Sequence, residues 1–178
     1  MMGMLIYSNY QSGRNNMKVR DIVLIGILSA SITAGKLALS FIPNVEIVTL
    51  LFIVFTVTLG TKRSFFISII FVTTEILLYG FSTWVLGYYI VWPVLVLITA
   101  LMSKTFKTEY GYAAIAGIFG LAFGLFFAIT ESFFYGYAYG LTYWVRGLPF
   151  DILHGAANYI IVLVLFKPLS KMLAKQVW

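Results

Sequence analysis

The chain has 178 residues, 61% hydrophobic and only 10% charged, whereas a soluble domain carries about 25% charged residues, so its composition is that of a membrane protein. Its net charge is +6, and with no cysteine and one histidine it excludes a disulfide framework, thiolate metal sites and any multi-histidine zinc or haem site. Apolar runs of roughly 15 to 25 residues predict an all-α integral membrane protein, a bundle of six transmembrane helices at about 20–41, 46–60, 64–80, 85–103, 111–135 and 148–173.

Residues 1–16 read as a disordered leader before a single membrane domain over 17–178. The leader has no basic segment, apolar core and small-residue cleavage site in the order a signal peptide requires. "MKVRDIV", from Met17, reads as a cytoplasmic start. In the first helix Gly26, Ala30, Ala34 and Ala38 recur every four residues, a seam that admits another helix at close range. At about 100° per residue, Lys36 points away from that seam. After the break "IPN" come Asn44 and Glu46, at the start of the second helix.

"GTKR" separates the second helix from the third, where Ser64, Ser68, Glu75 and Tyr79 share one stripe. Beyond "GFST", the fourth helix opens with Trp84, Tyr88, Tyr89 and Trp92. "SKTFKTE" leads to the fifth, whose Gly117, Gly120, Gly124 and Ala128 form a small-residue stripe leading to Glu131 and directing it into the bundle. Residues 136–147 read as an outer loop rich in aromatics, flanked by Tyr135 and holding Tyr137, Tyr139, Tyr143, Trp144 and Arg146. The sixth helix then starts with Pro149 in its first turn, and Asp151, His154 and Asn158 fall within about 60° of one another.

Basic residues orient the spans. With both termini cytoplasmic, ten of the twelve Lys and Arg fall on inside segments, and only Lys36 and Arg146 do not. The positive charge is therefore topogenic, and nucleic acid is not an expected partner. Lys36, Glu46, Glu75, Glu131, Asp151 and His154 then gather in the outer half, where ionised groups need a cavity or a partner. Glu46, Glu131 and Asp151 also lie near enough to helix ends to snorkel to water. The outer side is crowded with aromatics and the inner side has few, which suits a wide mouth for a flat or ring-bearing ligand. Candidate ligand contacts are thus Lys36, Asn44, Glu46, Glu75, Tyr79, Trp84, Tyr88 and Trp92 from the first four helices. Glu131, Tyr135, Trp144, Arg146, Asp151, His154 and Asn158 complete the set.

Six short-looped spans, inside termini, the Ala30-x-x-x-Ala34 seam and outer polar groups together resemble the substrate-binding S-components of energy-coupling factor (ECF) vitamin transporters. The resemblance covers about residues 17 to 175. It implies a multi-pass protein of the cell membrane that captures a vitamin from outside and delivers it inward. It also implies partners: a transmembrane T-component, docking on the face of Ala30 and Ala34, and two ATPase subunits that use ATP and Mg. "PNVEIVTLL", "EILLYGFSTW" and "GLPFDILHGAANY" look most similar to cobalamin-type S-components; pantothenate, pyridoxine and hydroxymethylpyrimidine remain open.

Two rival functions follow from the same residues. Glu75, Glu131, Asp151 and His154 are the groups an intramembrane enzyme would use, but no His-Glu-x-x-His or Gly-x-Ser-x-Gly motif accompanies them. An independent secondary transporter needs a polar path across the inner half, which is almost uniformly apolar. No Walker motif is present, so this chain is expected to bind and carry, with no cofactor or metal of its own.

Overall fold

The computed structural model describes residues 17–177; the leader expected over 1–16 lies outside the described residues, as does Trp178. Among the described residues six helices follow one another: α1 (Val19–Ala38), α2 (Val48–Leu59), α3 (Thr61–Tyr79), α4 (Thr83–Met102), α5 (Glu109–Tyr135) and α6 (Tyr137–Val177). No strand occurs among the described residues, so the all-α expectation holds. Four helices among the described residues are long and apolar enough to cross a membrane: α1, α4, α5 and Tyr137–Lys175 of α6. The 12 residues of α2 reach about 18 Å, short of a hydrocarbon core of about 30 Å. α3 carries Lys62, Arg63 and Glu75 within its 19 residues.

Side-chain pairs give the helix directions. Asp21 meets Arg63 at 2.7 Å near the starts of α1 and α3, and Lys36 meets Glu75 near their ends, so these two helices run parallel. Thr73 and Tyr89 share a hydrogen bond of 2.8 Å, and Thr83 donates to Glu131 at 2.7 Å, which sets α4 antiparallel to both α3 and α5. Lys167 joins Glu109 at 2.6 Å, closing the antiparallel pair α5–α6. Consequently Asp21, Arg63, Glu109 and Lys167 gather at one end of the bundle. Lys36, Glu46, Glu75, Glu131, Asp151 and His154 gather at the other.

All six helices contribute to one apolar core, through Ile25, Phe52, Phe71, Trp92, Phe119 and Val162 among others. Trp92 is its hub: its ring stacks on Phe52 at 5.2 Å and touches Phe71, Tyr88, Phe119 and Phe123 at 5.5–6.1 Å. Outward faces remain apolar too, with Ile27, Leu77, Ile118, Ile152 and Val164 exposed, as expected of helices solvated by lipid tails. The seam residues Gly26, Ala30, Ala34 and Ala38 all lie on the exposed face of α1. Lys36 turns into the bundle, as its helical phase requires.

α6 departs from the expected pattern. The segment over 136–147 is not a loop: α6 starts at Tyr137 and runs 41 residues, about 60 Å. Gly136 makes the whole turn from α5 by taking φ +89°, a conformation L side chains rarely adopt. Gly140 then seats against Ser132 and the Ala128 carbonyl of α5, so residues rich in glycine and tyrosine are held helical by packing. Arg146 is therefore a helical residue. Pro149 lies in the helix interior, and Asp151 sits far from any helix N-terminus. α2 likewise begins at Val48, after Glu46 rather than with it, because the Glu46 carboxylate receives the N–H groups of Val48 and Thr49 and caps the helix from outside.

α5 and α6 pack backbone to backbone at Gly120 and Gly155. A Cβ on Gly120 would lie 2.8 Å from the Gly155 backbone and from the His154 ring. Gly120→Ala is expected to pry the two helices apart and cost about 1–3 kcal/mol, the usual penalty for overpacking. Gly26→Ala, with nothing within 4 Å of the new methyl, is expected to leave stability unchanged or slightly higher. Thermal unfolding of the two detergent-solubilised variants tests the contrast.

Candidate ligand-binding site

A cavity of about 580 Å³ opens at the acidic end of the bundle, between α4, α5 and α6. Each helix lends a stripe to its wall. Trp84 and Tyr88 come from α4, one turn apart; Phe123, Gly124 and Phe127 come from α5. α6 supplies Tyr139, Thr142, Tyr143, Arg146, Gly147, Phe150 and Asp151, whose spacings of three and four residues keep them on one face. Asn44 closes the side from the α1–α2 connection, where it holds φ +59°, a left-handed conformation that asparagine tolerates. The walls are mostly aromatic and the polar groups few, the usual make-up of a small-molecule site.

Asp151 is the carboxylate of this cavity. It is only 6% exposed, and its Oδ1 accepts the Gly124 N–H at 3.0 Å while its buried Oδ2 has no hydrogen-bond partner. Gly124 is what permits this approach, since a Cβ there would collide with the carboxylate. Behind the cavity wall runs a polar chain that ties α2 to α6. Asn158 donates to the Thr49 hydroxyl at 3.3 Å, Thr49 donates to Glu46 at 2.6 Å, and Glu46 lies 3.6 Å from His154 Nε2. The His154 ring lies flat on Phe123, centroids 4.8 Å apart, and so braces one of the cavity's aromatic walls.

A second cluster backs the α4 wall. Glu75 is completely buried and hydrogen-bonds the Lys36 ammonium. That ammonium also lies over the rings of Tyr79, Trp84 and Tyr88, 5.1–5.7 Å from their centroids. Ion pair and cation–π contact together spare Lys36 the cost of desolvation. Trp84 and Tyr88 thus face the cavity while contacting Lys36, which couples the cluster to the wall.

Of the residues expected from the sequence, the structure brings Asn44, Trp84, Tyr88, Arg146 and Asp151 into the cavity lining. Lys36, Glu75 and Tyr79 stand behind its α4 wall, and Glu46, His154 and Asn158 behind its floor. Trp92 belongs to the apolar core below, and Glu131 binds Thr83 at the start of α4. Tyr135 is exposed and reaches the cavity only through Tyr139, 5.0 Å away; Trp144 is half-buried and outside the lining. Phe123, Phe127, Thr142 and Phe150 line the cavity without having been singled out. The spacing of Phe123 and Phe127, four apart around Gly124, was the available signal. Tyr139 and Tyr143 were visible only as part of an aromatic crowd. Among the described residues no group of three His, Asp or Glu converges as a metal site.

Because Glu75 is fully buried while the Lys36 side chain is 25% exposed, removing the lysine alone strands a charge. Lys36→Ala is expected to cost about 2–4 kcal/mol, and the double variant Lys36→Met with Glu75→Gln to recover most of it. A double-mutant cycle by thermal unfolding measures both. Against known protein families, curated proteins and solved structures, the chain shows no match, so what the site does has to be read from its own residues.

Proposed function

We propose that the chain is the substrate-binding S-component of an ECF-type vitamin importer, with six helices embedded in the cell membrane and both termini cytoplasmic. The observation that carries this reading is a preformed, aromatic-lined cavity at the acidic end of the bundle, two of whose lining rings, Tyr88 and Phe123, pack on the core ring of Trp92. A preformed site at one end of the bundle suits a subunit that captures its ligand and depends on partners for delivery. The exposed seam of Gly26, Ala30, Ala34 and Ala38 supports docking by a T-component, and two ATPase subunits would supply ATP hydrolysis.

Cavity size bears on the ligand. A volume near 580 Å³ matches a molecule of drug-like size. Pantothenate, pyridoxine and hydroxymethylpyrimidine fit within it. Cobalamin, the ligand the family resemblance implies, is larger than this cavity as it stands. Binding is favoured over catalysis because Asp151 is turned to Gly124 and His154 to Glu46, so the two do not share a reacting position.

The purified chain is expected to bind a vitamin unaided, while uptake into vesicles requires the T-component, both ATPases and ATP. ATP-independent accumulation by the lone chain would overturn the proposal. Replacing Ala30 and Ala34 with leucine is expected to abolish uptake and leave vitamin binding within about twofold of wild type, since neither side chain approaches the cavity. Parallel binding and transport assays on that variant separate the two roles.

A further inference from the structure

We propose that the cavity selects a flat nitrogen heterocycle that turns an N–H edge, either an amino group beside a ring nitrogen or a protonated ring nitrogen, toward Asp151. This rests on the cavity being the vitamin site and narrows the class of vitamin it takes. Asp151 Oδ2 is buried, has no donor within the protein, and borders the cavity. Buried carboxylate oxygens are nearly always hydrogen-bonded, because leaving one bare forfeits its solvation without return. A donor on the ligand supplies what the protein withholds.

The walls define the rest of the molecule. Tyr88, Phe123 and Phe127 form a continuous aromatic surface, with centroids 5.0–6.4 Å apart, and Tyr139, Tyr143 and Phe150 face it from α6. A planar ring lies between such surfaces with little lost entropy, whereas a branched acyclic chain gains less contact. Arg146 lies on the same α6 stripe, five residues before Asp151, and favours an acidic or hydrogen-bond-accepting substituent at the opposite end. An acyclic acid with hydroxyl or amide donors also offers partners to both Arg146 and Asp151, so it is the aromatic walls that favour a planar ring.

Titration of the intact detergent-solubilised protein, followed by calorimetry and by tryptophan fluorescence, tests the assignment. The probes are 4-amino-5-hydroxymethyl-2-methylpyrimidine, the same compound lacking its 4-amino group, pyridoxine, pantothenate and cobalamin. The aminopyrimidine is expected to bind at least about tenfold more tightly than its desamino analogue, the difference a hydrogen bond to a charged acceptor makes. Asp151→Asn should reduce that preference to about twofold or less. Its carbonyl stays with the Gly124 N–H, and its amide nitrogen turns a donor toward the ligand's donor edge. Gly124→Ala should do the same by displacing the carboxylate. If both variants fail to fold, the wild-type ranking decides alone. Tightest binding of pantothenate or cobalamin, or a preference that survives folded Asp151→Asn and Gly124→Ala, overturns the donor-edge assignment and leaves the importer reading standing. No saturable binding of any probe overturns both.

Discussion

The backbones of α5 and α6 touch where Gly120 meets Gly155, and much of the site depends on that contact. With a Cβ at either position the two helices could not run this close along their length. Their proximity brings Asp151 within hydrogen-bonding distance of the Gly124 N–H and lays His154 flat on Phe123. It also lets a single residue, Gly136, turn the chain back, so that α6 begins at once and its first four turns or so rise as a wall of the cavity. Small residues thus do two things here. Inside the bundle they set the distance between α5 and α6; on α1 the same kind of stripe remains open to the outside.

The acids at the cavity end are each neutralised differently, and the differences give them distinct roles. Glu75 is held by an ammonium, itself covered by three rings. Glu46 takes the first N–H groups of α2, where the helix dipole favours negative charge, and braces His154 from the other side. Glu131 takes a hydroxyl from Thr83 and ties the start of α4 to the end of α5. Asp151 alone borders the cavity with one oxygen satisfied and the other bare. The first three have partners within the protein and none of them lines the cavity.

Much of the fold was legible because lipid and backbone chemistry constrain it so tightly. Apolar run length marked the helices, four of which are long and apolar enough to cross a membrane among the described residues, and the spacing of Gly26, Ala30, Ala34 and Ala38 placed their stripe on a face opposite Lys36. Where the reading went astray, local chemistry was ambiguous. Tyrosines and glycines over 136–147 resemble a loop, and Pro149 resembles a first-turn residue, yet contacts of Gly140 with Ser132 and Ala128 keep the segment helical. Trp92 shares its helix and its phase with Trp84 and Tyr88. One turn separates the core hub Trp92 from the cavity-lining Tyr88, and no sequence period reports depth against neighbouring helices.

From residues alone follow the helical class, the segregation of charge to opposite ends and the candidate polar set, since each depends on hydropathy, periodicity or charge read along one strand of chain. Which of those polar groups meet a ligand was decided only by tertiary packing. Lys36 and Glu75 pair across 39 positions of sequence, and Thr49 and Asn158 across 109. Asp151 is left with an open oxygen because Gly124, on another helix, offers it one N–H and no more. Partnership between distant groups is a property of three-dimensional distance, and that distance is set by which side chains are small enough to let helices touch.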